Sequence, residues 1–271
     1  MLELTEDEQQ IFIEKIKQKV LAGKTPAKGQ PTLTIIIGTP GSGKSYLAQT
    51  IENSVYCSPD DIIAEYIKTT GTDPRGDFLN DDIEKFTARV YDEVVQAIID
   101  GKYNFTCDSF KDVDGQKVVN FMAQYGYKKD IKVILADEYQ AALNAVERKL
   151  DYDDKYTEYC KNKQSGTQYP QGNPLEVAPD VSTKTSDHIA KFICKAVEEG
   201  KQIEIYEFGK IKPSFRTGDD FDKFLENLPL TPITKHIKRC QQLYNRAHQS
   251  GNKKCAAQLN WLMQKMKKDP R

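Results

Sequence analysis

The run Gly38-Thr39-Pro40-Gly41-Ser42-Gly43-Lys44-Ser45 spaces its glycines, its lysine and its final hydroxyl as a nucleoside triphosphate site requires. Glycines let the backbone wind so that successive N–H groups point inward at phosphate oxygens. A helix beginning at Gly43-Lys44 adds the positive end of its dipole. In such a cradle Lys44 neutralises the β- and γ-phosphates of ATP, and the Ser45 hydroxyl ligates Mg²⁺. The flanking residues supply the context this motif needs. Thr32 to Ile37 is a β-branched run that reads as a buried parallel strand, and Lys44 to Glu52 reads as a helix.

A nucleotide site does not by itself separate a kinase from an ATPase or GTPase, so the other acids decide. No Asn-Lys-x-Asp guanine-reading motif occurs, which disfavours a GTPase. Asp60 and Asp61 follow a short second strand at Asn53 to Cys57, on a loop facing the P-loop. A carboxylate there can take the proton of a hydroxyl as it attacks the γ-phosphate. Either of the two could be that base, and Asp60 has an alternative as the cap of the following helix. Val133-Ile134-Leu135-Ala136-Asp137-Glu138 offers a competing arrangement. An apolar strand ending in Asp-Glu is the Mg²⁺-binding and catalytic pair of an ATPase, or else Asp137 simply caps the next helix.

These residues need a scaffold, and the chain predicts one. Thr5 and Glu8 form a capping box for a helix from Glu6 to Leu21, with Ile11, Ile13, Ile16 and Val20 as its apolar stripe. Helices are predicted at Asp61 to Lys68, Asp81 to Ile99, Gln116 to Tyr125, Tyr139 to Leu150 and Asp187 to Glu199. Strands are predicted at Asn104 to Cys107, Ile131 to Ala136 and Gln202 to Phe208. Strands alternating with helices imply an α/β P-loop fold, a parallel sheet with helices on both faces. Residues 149–186 lose this pattern and read as a lid or substrate segment, too long for an ordinary connection. The expected organisation is a kinase domain over residues 1–228 and a basic helical extension over residues 229–271, interrupted near Ser250-Gly251.

Composition narrows the setting. Hydrophobic residues make up 38% and charged residues 29% of the 271, as in a globular chain. The net charge of −1 hides an uneven layout: from Leu230 onward many cations, Lys235 to Arg271, face one acid, Asp269. The tail is read chiefly as a helical pair packed on an acidic body, with contact to nucleic acid as the less favoured alternative. Six scattered cysteines without metal spacing point to reduced thiols. With no signal peptide and no apolar run near the ~20 residues of a membrane span, the expected compartment is cytoplasm, that of its own cell or of a host cell if the protein is exported as an effector. His188, His236 and His248 show no ligand spacing and read as structural or exposed.

The order of these features resembles that of the zeta toxins, the kinase halves of bacterial toxin–antitoxin pairs. The likeness runs through Gly38 to Ser45, Cys57-Ser58-Pro59-Asp60-Asp61, a Gly-Lys-Tyr-Asn-Phe entry into a strand ending at Asp108, Gly126-Tyr127, and Glu147-Arg148 on a later helix. It spans roughly Glu6 to Lys212. The resemblance implies ATP- and Mg-dependent phosphorylation of a hydroxyl on a nucleotide-like small molecule, of the UDP-N-acetylglucosamine or NAD class. Polynucleotide 5′-kinases share the layout and stand as an alternative. It implies further that Asp60 is the base and that Arg148 stabilises charge on the transferring phosphoryl. By the same likeness Asp108 contacts substrate or the metal's water shell, and Asp92 faces substrate, with Arg89 on the same helix face by i, i+3 spacing. An antitoxin or host protein is the implied partner. Two departures concern the acceptor: Ser109-Phe110 replaces the family's Gly-Thr pair, and no arginine between Lys149 and Thr185 matches its second lid arginine. A lysine there neutralises charge but does not grip phosphate bidentately.

Overall fold

A computed structural model describes residues 4–71, 81–109, 122–162, 203–207 and 231–270, with the single positions 189, 193, 195 and 196. The predicted helices at Gln116 to Tyr125 and Asp187 to Glu199 lie largely outside these residues. The described elements run α1 (Glu6–Leu21), β1 (Thr32–Gly38), α2 (Lys44–Gln49), β2 (Ser54–Tyr56), α3 (Pro59–Thr70) and α4 (Asp81–Asp100). They continue with β3 (Asn104–Ser109), β4 (Lys128–Leu135), α5 (Glu138–Asn162), β5 (Glu204–Glu207), α6 (Ile233–Gln249) and α7 (Lys253–Lys268).

The five strands pair in parallel in the order β2-β3-β1-β4-β5. β1 is central, and its alternation sorts the two faces of the sheet. Leu33, Ile35 and Ile37 join a large core with α1, α3 and α4, while Ile36 packs with Leu47 and Ala48 of α2 on the other side. A parallel sheet buried on both faces accounts for the nearly continuous apolar run in β1.

α1 starts at the predicted capping box: Glu8 Oε2 accepts from the Thr5 amide at 2.8 Å and the Thr5 hydroxyl from the Glu8 amide at 3.4 Å. Its buried face is Phe12, Ile13 and Ile16; Ile11, expected inside, is 69% exposed. The α-helical turn of about 100° per residue carries Ile11 off the stripe that Phe12 occupies.

The largest departure from expectation is at α5. The helix continues to Asn162, through the first part of the segment read as a lid, and residues 163–186 lie outside those described. Its second half is held by an aromatic stripe, Tyr152, Tyr156 and Tyr159, which packs on Ile63 and Ile67 of α3, and by side-chain partners. Lys149 pairs with Asp153, Tyr152 stacks on Tyr156 one turn later, and Arg246 of α6 reaches Asp151 and Asp154.

α6 and α7 form the expected basic hairpin, broken at Ser250-Gly251, and its apolar face packs on α5. Tyr139, Leu143, Val146 and Leu150 meet Cys240, Leu243, Leu259 and Leu262 in a separate core. The tail is thus a brace on α5, and Arg239 to Glu147 and Lys265 to Glu138 show where several of its cations go.

Candidate active site

The candidate residues of the P-loop, Asp60 and Asp108 gather at the C-terminal ends of the parallel strands, where open α/β sheets bind ligands. After β1 the chain turns through Gly41 at φ +82 and Gly43 at φ +94, the latter capping α2. A Cβ on Gly41 would lie 2.1 Å from the Ala141 carbonyl oxygen, so the loop can press on α5 only with glycine there. Asn144 of α5 donates to the Gly41 carbonyl at 3.0 Å and accepts from Gln140 at 2.9 Å. Open space lies in front of Gly43, before the α2 N-terminus.

Within this loop the hydroxyls of Thr39 and Ser42 are buried and have no hydrogen-bond partner. Lys44 is folded back, donating to the carbonyls of Gly38 at 2.9 Å and Thr39 at 3.1 Å. Desolvation lowers its ammonium to about 8, against the attraction of Asp108 and Asp60 and with added repulsion from Arg148. Buried polar groups are almost always satisfied, so orphaned hydroxyls and a destabilised cation mark a place prepared for an anion.

The same electrostatic neighbourhood reports which predicted residues the fold assembles. Asp60 from α3, Asp108 from the end of β3 and Arg148 from α5 all act on Lys44. The register places Asp108 opposite Ile36, two residues before the loop begins. Ser58, not Asp60, is the cap of α3: its hydroxyl accepts from the Asp60 amide at 3.3 Å, with Pro59 in the first turn. The capping alternative for Asp60 is thereby removed. Asp61 follows it on α3, its carboxyl raised first by desolvation and then by Asp108 and Asp60.

Arg89 and Asp92 are not drawn into this group. Both are exposed on α4, and Arg89 donates to Gln9 of α1 at 3.4 Å. Asp137, the competing acid, is occupied structurally. Its Oδ1 accepts from the amides of Tyr139 and Gln140 at 3.0 and 3.1 Å, capping α5, and lies 3.1 Å from His236 Nε2. Glu138 faces Lys265 across the hairpin at 3.6 Å. The cap reading of this pair is the one the geometry supports.

Tyr56 escaped the sequence reading. Its hydroxyl donates to Asp108 Oδ1 at 3.0 Å and lies 3.3 Å from the Ser45 hydroxyl. Desolvation and the Asp108 charge raise its phenol, so it stays protonated and ties the two oxygen donors together. An aromatic ending a three-residue strand carries no sequence signal for this role. Ser45 and Asp108 offer hydroxyl and carboxylate oxygens, the hard donor set that Mg²⁺ takes alongside phosphates and water. They therefore fit the ion that the P-loop implies.

The zeta toxin family model matches residues 17–156. Among solved structures the chain is similar to one from the PezAT chromosomal toxin–antitoxin system of Streptococcus pneumoniae. That match has 16% identity, covers 92% of this chain and 98% of that one, and has a TM-score of 0.60. At that identity the likeness speaks for the fold. A complex of AvrRxo1-ORF1 and -ORF2 with ATP matches at 12% identity over 94% of this chain and 84% of that one, TM-score 0.46. A putative kinase from Chloroflexus aurantiacus matches at 16% over 62% and 99%, TM-score 0.37. The curated proteins contain no match.

Proposed function

The chain belongs to the zeta toxin family of P-loop kinases, and we propose that it phosphorylates a hydroxyl of a nucleotide-like small molecule, of the UDP-N-acetylglucosamine or NAD class. The convergence of Asp60, Asp108 and Arg148 on Lys44 carries this reading. A kinase needs a base and counter-charges around the γ-phosphate, and three separate elements supply them here.

The P-loop amides and the hydroxyls of Thr39 and Ser42 hold the triphosphate of ATP. Lys44 swings from its loop carbonyls onto the phosphates, which restores the charge that desolvation disfavours. Asp60 accepts the proton of the acceptor hydroxyl as its oxygen bonds to the γ-phosphorus and the bond to the β–γ bridging oxygen breaks, leaving ADP. Arg148 stabilises the equatorial charge. Ser45 and Asp108, tied by Tyr56, would hold Mg²⁺, which neutralises charge on the β- and γ-oxygens when bound. Arg89 and Asp92 stand on the solvent face of α4, outside this group, and take no part in the transfer proposed.

The family likeness supports an antitoxin-type protein partner and a role as a toxin or effector. Among the described residues no helix is long and apolar enough to cross a membrane. The test is incubation with γ-labelled ATP, Mg²⁺ and a panel of UDP-N-acetylglucosamine, NAD, nucleosides and short RNA, with Lys44→Ala and Asp60→Ala alongside. A labelled small molecule that disappears in both variants is the expected result. Labelled RNA alone would move the reading to a polynucleotide kinase, and free phosphate alone, unaffected by Asp60→Ala, would overturn it.

A further inference from the structure

Beside the P-loop, and lined by none of its residues, a cavity of about 490 Å³ runs along the free edge of β2. Such a volume lies in the range of small-molecule sites. α1 forms one wall with Ile16 and Val20, α3 another with Ala64, and α2 contributes Ala48 and Gln49. The lining thus combines an apolar strip with at least as much polar and charged surface.

Its charges are unevenly compensated. Glu65, 7% exposed, is met by Lys15 and Lys19, each at 2.9 Å, so these three groups settle one another. Lys24 and Lys68 also line the cavity and have no ion-pair partner among the described residues. The Thr25 amide and hydroxyl bond to Asn53, which sets Lys24 near the start of β2. Lys68 lies seven residues beyond Asp61 on α3, about 10 Å along the helix axis. Asp61 and Tyr56 line the cavity as well, and Tyr56 is the residue that joins Asp108 to Ser45.

We propose that this cavity is a second ligand site for a phosphorylated small metabolite of mononucleotide size. Its phosphate sits at Lys24 and Lys68, its body lies on Ile16, Val20 and Ala64, and its other end meets Tyr56 and Asp61. Two ammonium groups without an ion-pair partner among the described residues, lining a cavity that also has an apolar strip, select an anion with an organic body over a bare ion. Because the lining contains Tyr56, occupancy bears on the oxygen donors of the transfer centre, and the site serves as an effector site. The proposal stands independently of the acceptor's identity.

The test is calorimetric titration of Lys44→Ala protein, whose P-loop is disabled, with inorganic phosphate, uridine and uridine monophosphate. The monophosphate is expected to bind at least about tenfold more tightly than either fragment, and Lys24→Glu with Lys68→Glu to weaken it about tenfold or more. The same two substitutions with Lys44 intact should leave ATP affinity unchanged. Absence of binding, phosphate and monophosphate binding alike, or binding indifferent to the charge reversals would each overturn the proposal.

Discussion

The ends of β1 and β4 lie side by side in the sheet, and each passes from an apolar strand through polar residues into a helix. At the end of β1 the polar groups are left unsatisfied: two buried hydroxyls lack partners, and a desolvated lysine rests on its own loop's carbonyls. At the end of β4 the acids meet groups of the protein itself, Asp137 Oδ1 two amides and Glu138 Lys265. His236 Nε2 lies 3.1 Å from Asp137 Oδ1 but makes no hydrogen bond among the described residues. Both stretches carry the residue types of an NTPase centre. What separates a ligand site from a structural joint is whether the fold has already supplied the partners.

Substitutions at the two ends should therefore diverge, most of all at Lys44 and Arg148. Lys44→Ala and Arg148→Ala are expected to lower phosphoryl transfer about 10³-fold, whereas Glu138→Gln should leave single-turnover transfer within about twofold. A large loss in the glutamine variant would erase the contrast and restore the ATPase reading.

Next in size is the base. Asp60→Ala should reduce kcat about 10²-fold or more with little change in ATP affinity, while Asp61→Asn should cost far less. The reverse order, read from kcat at saturating ATP, would move the base to Asp61.

The β4 end should respond in stability instead. Leu259→Ala, in the core between the hairpin and α5, should cost about 2–5 kcal/mol in denaturant unfolding. Asp137→Ala, which removes the α5 cap, should cost about 1 kcal/mol. ATP binding by the folded fraction should survive both. If it does not, the hairpin contributes to the site through Asn144 and Gly41.

The smallest effect expected is on pH dependence. Lys44, lowered to about 8 in the free protein, loses its proton as pH rises through that value, so ATP affinity should fall there. For folding the sign is opposite: the penalty of a desolvated ammonium is full below about 8 and is relieved as pH climbs toward its unfolded value of about 10.4. Lys44→Arg, always charged, should flatten the affinity profile measured by fluorescence titration. A profile unchanged by that variant would place the titration elsewhere.

Much of this was open to reading in the chain itself. The P-loop, the α1 capping box, the parallel α/β pattern and the helical hairpin depend on local spacing, on glycine conformations and on apolar periodicity, which act over a few neighbouring residues. Chain order together with a resemblance brought forward Asp60, Asp108 and Arg148. Other features depended on contacts between residues far apart. Tyr56 acquires its role because β2 and β3 pair so that its hydroxyl reaches Asp108 and Ser45. α5 runs on past Leu150 because Tyr152 and Tyr156 find Ile67 of α3, and Arg246, 92 residues from Asp154, pairs with its acids. Asp137 caps α5 through the amides of Tyr139 and Gln140, and only the fold brings His236 of α6 to 3.1 Å from it. Sequence determines which groups are present and which local shapes they favour; only the folded chain decides which are satisfied, since their partners come from distant elements.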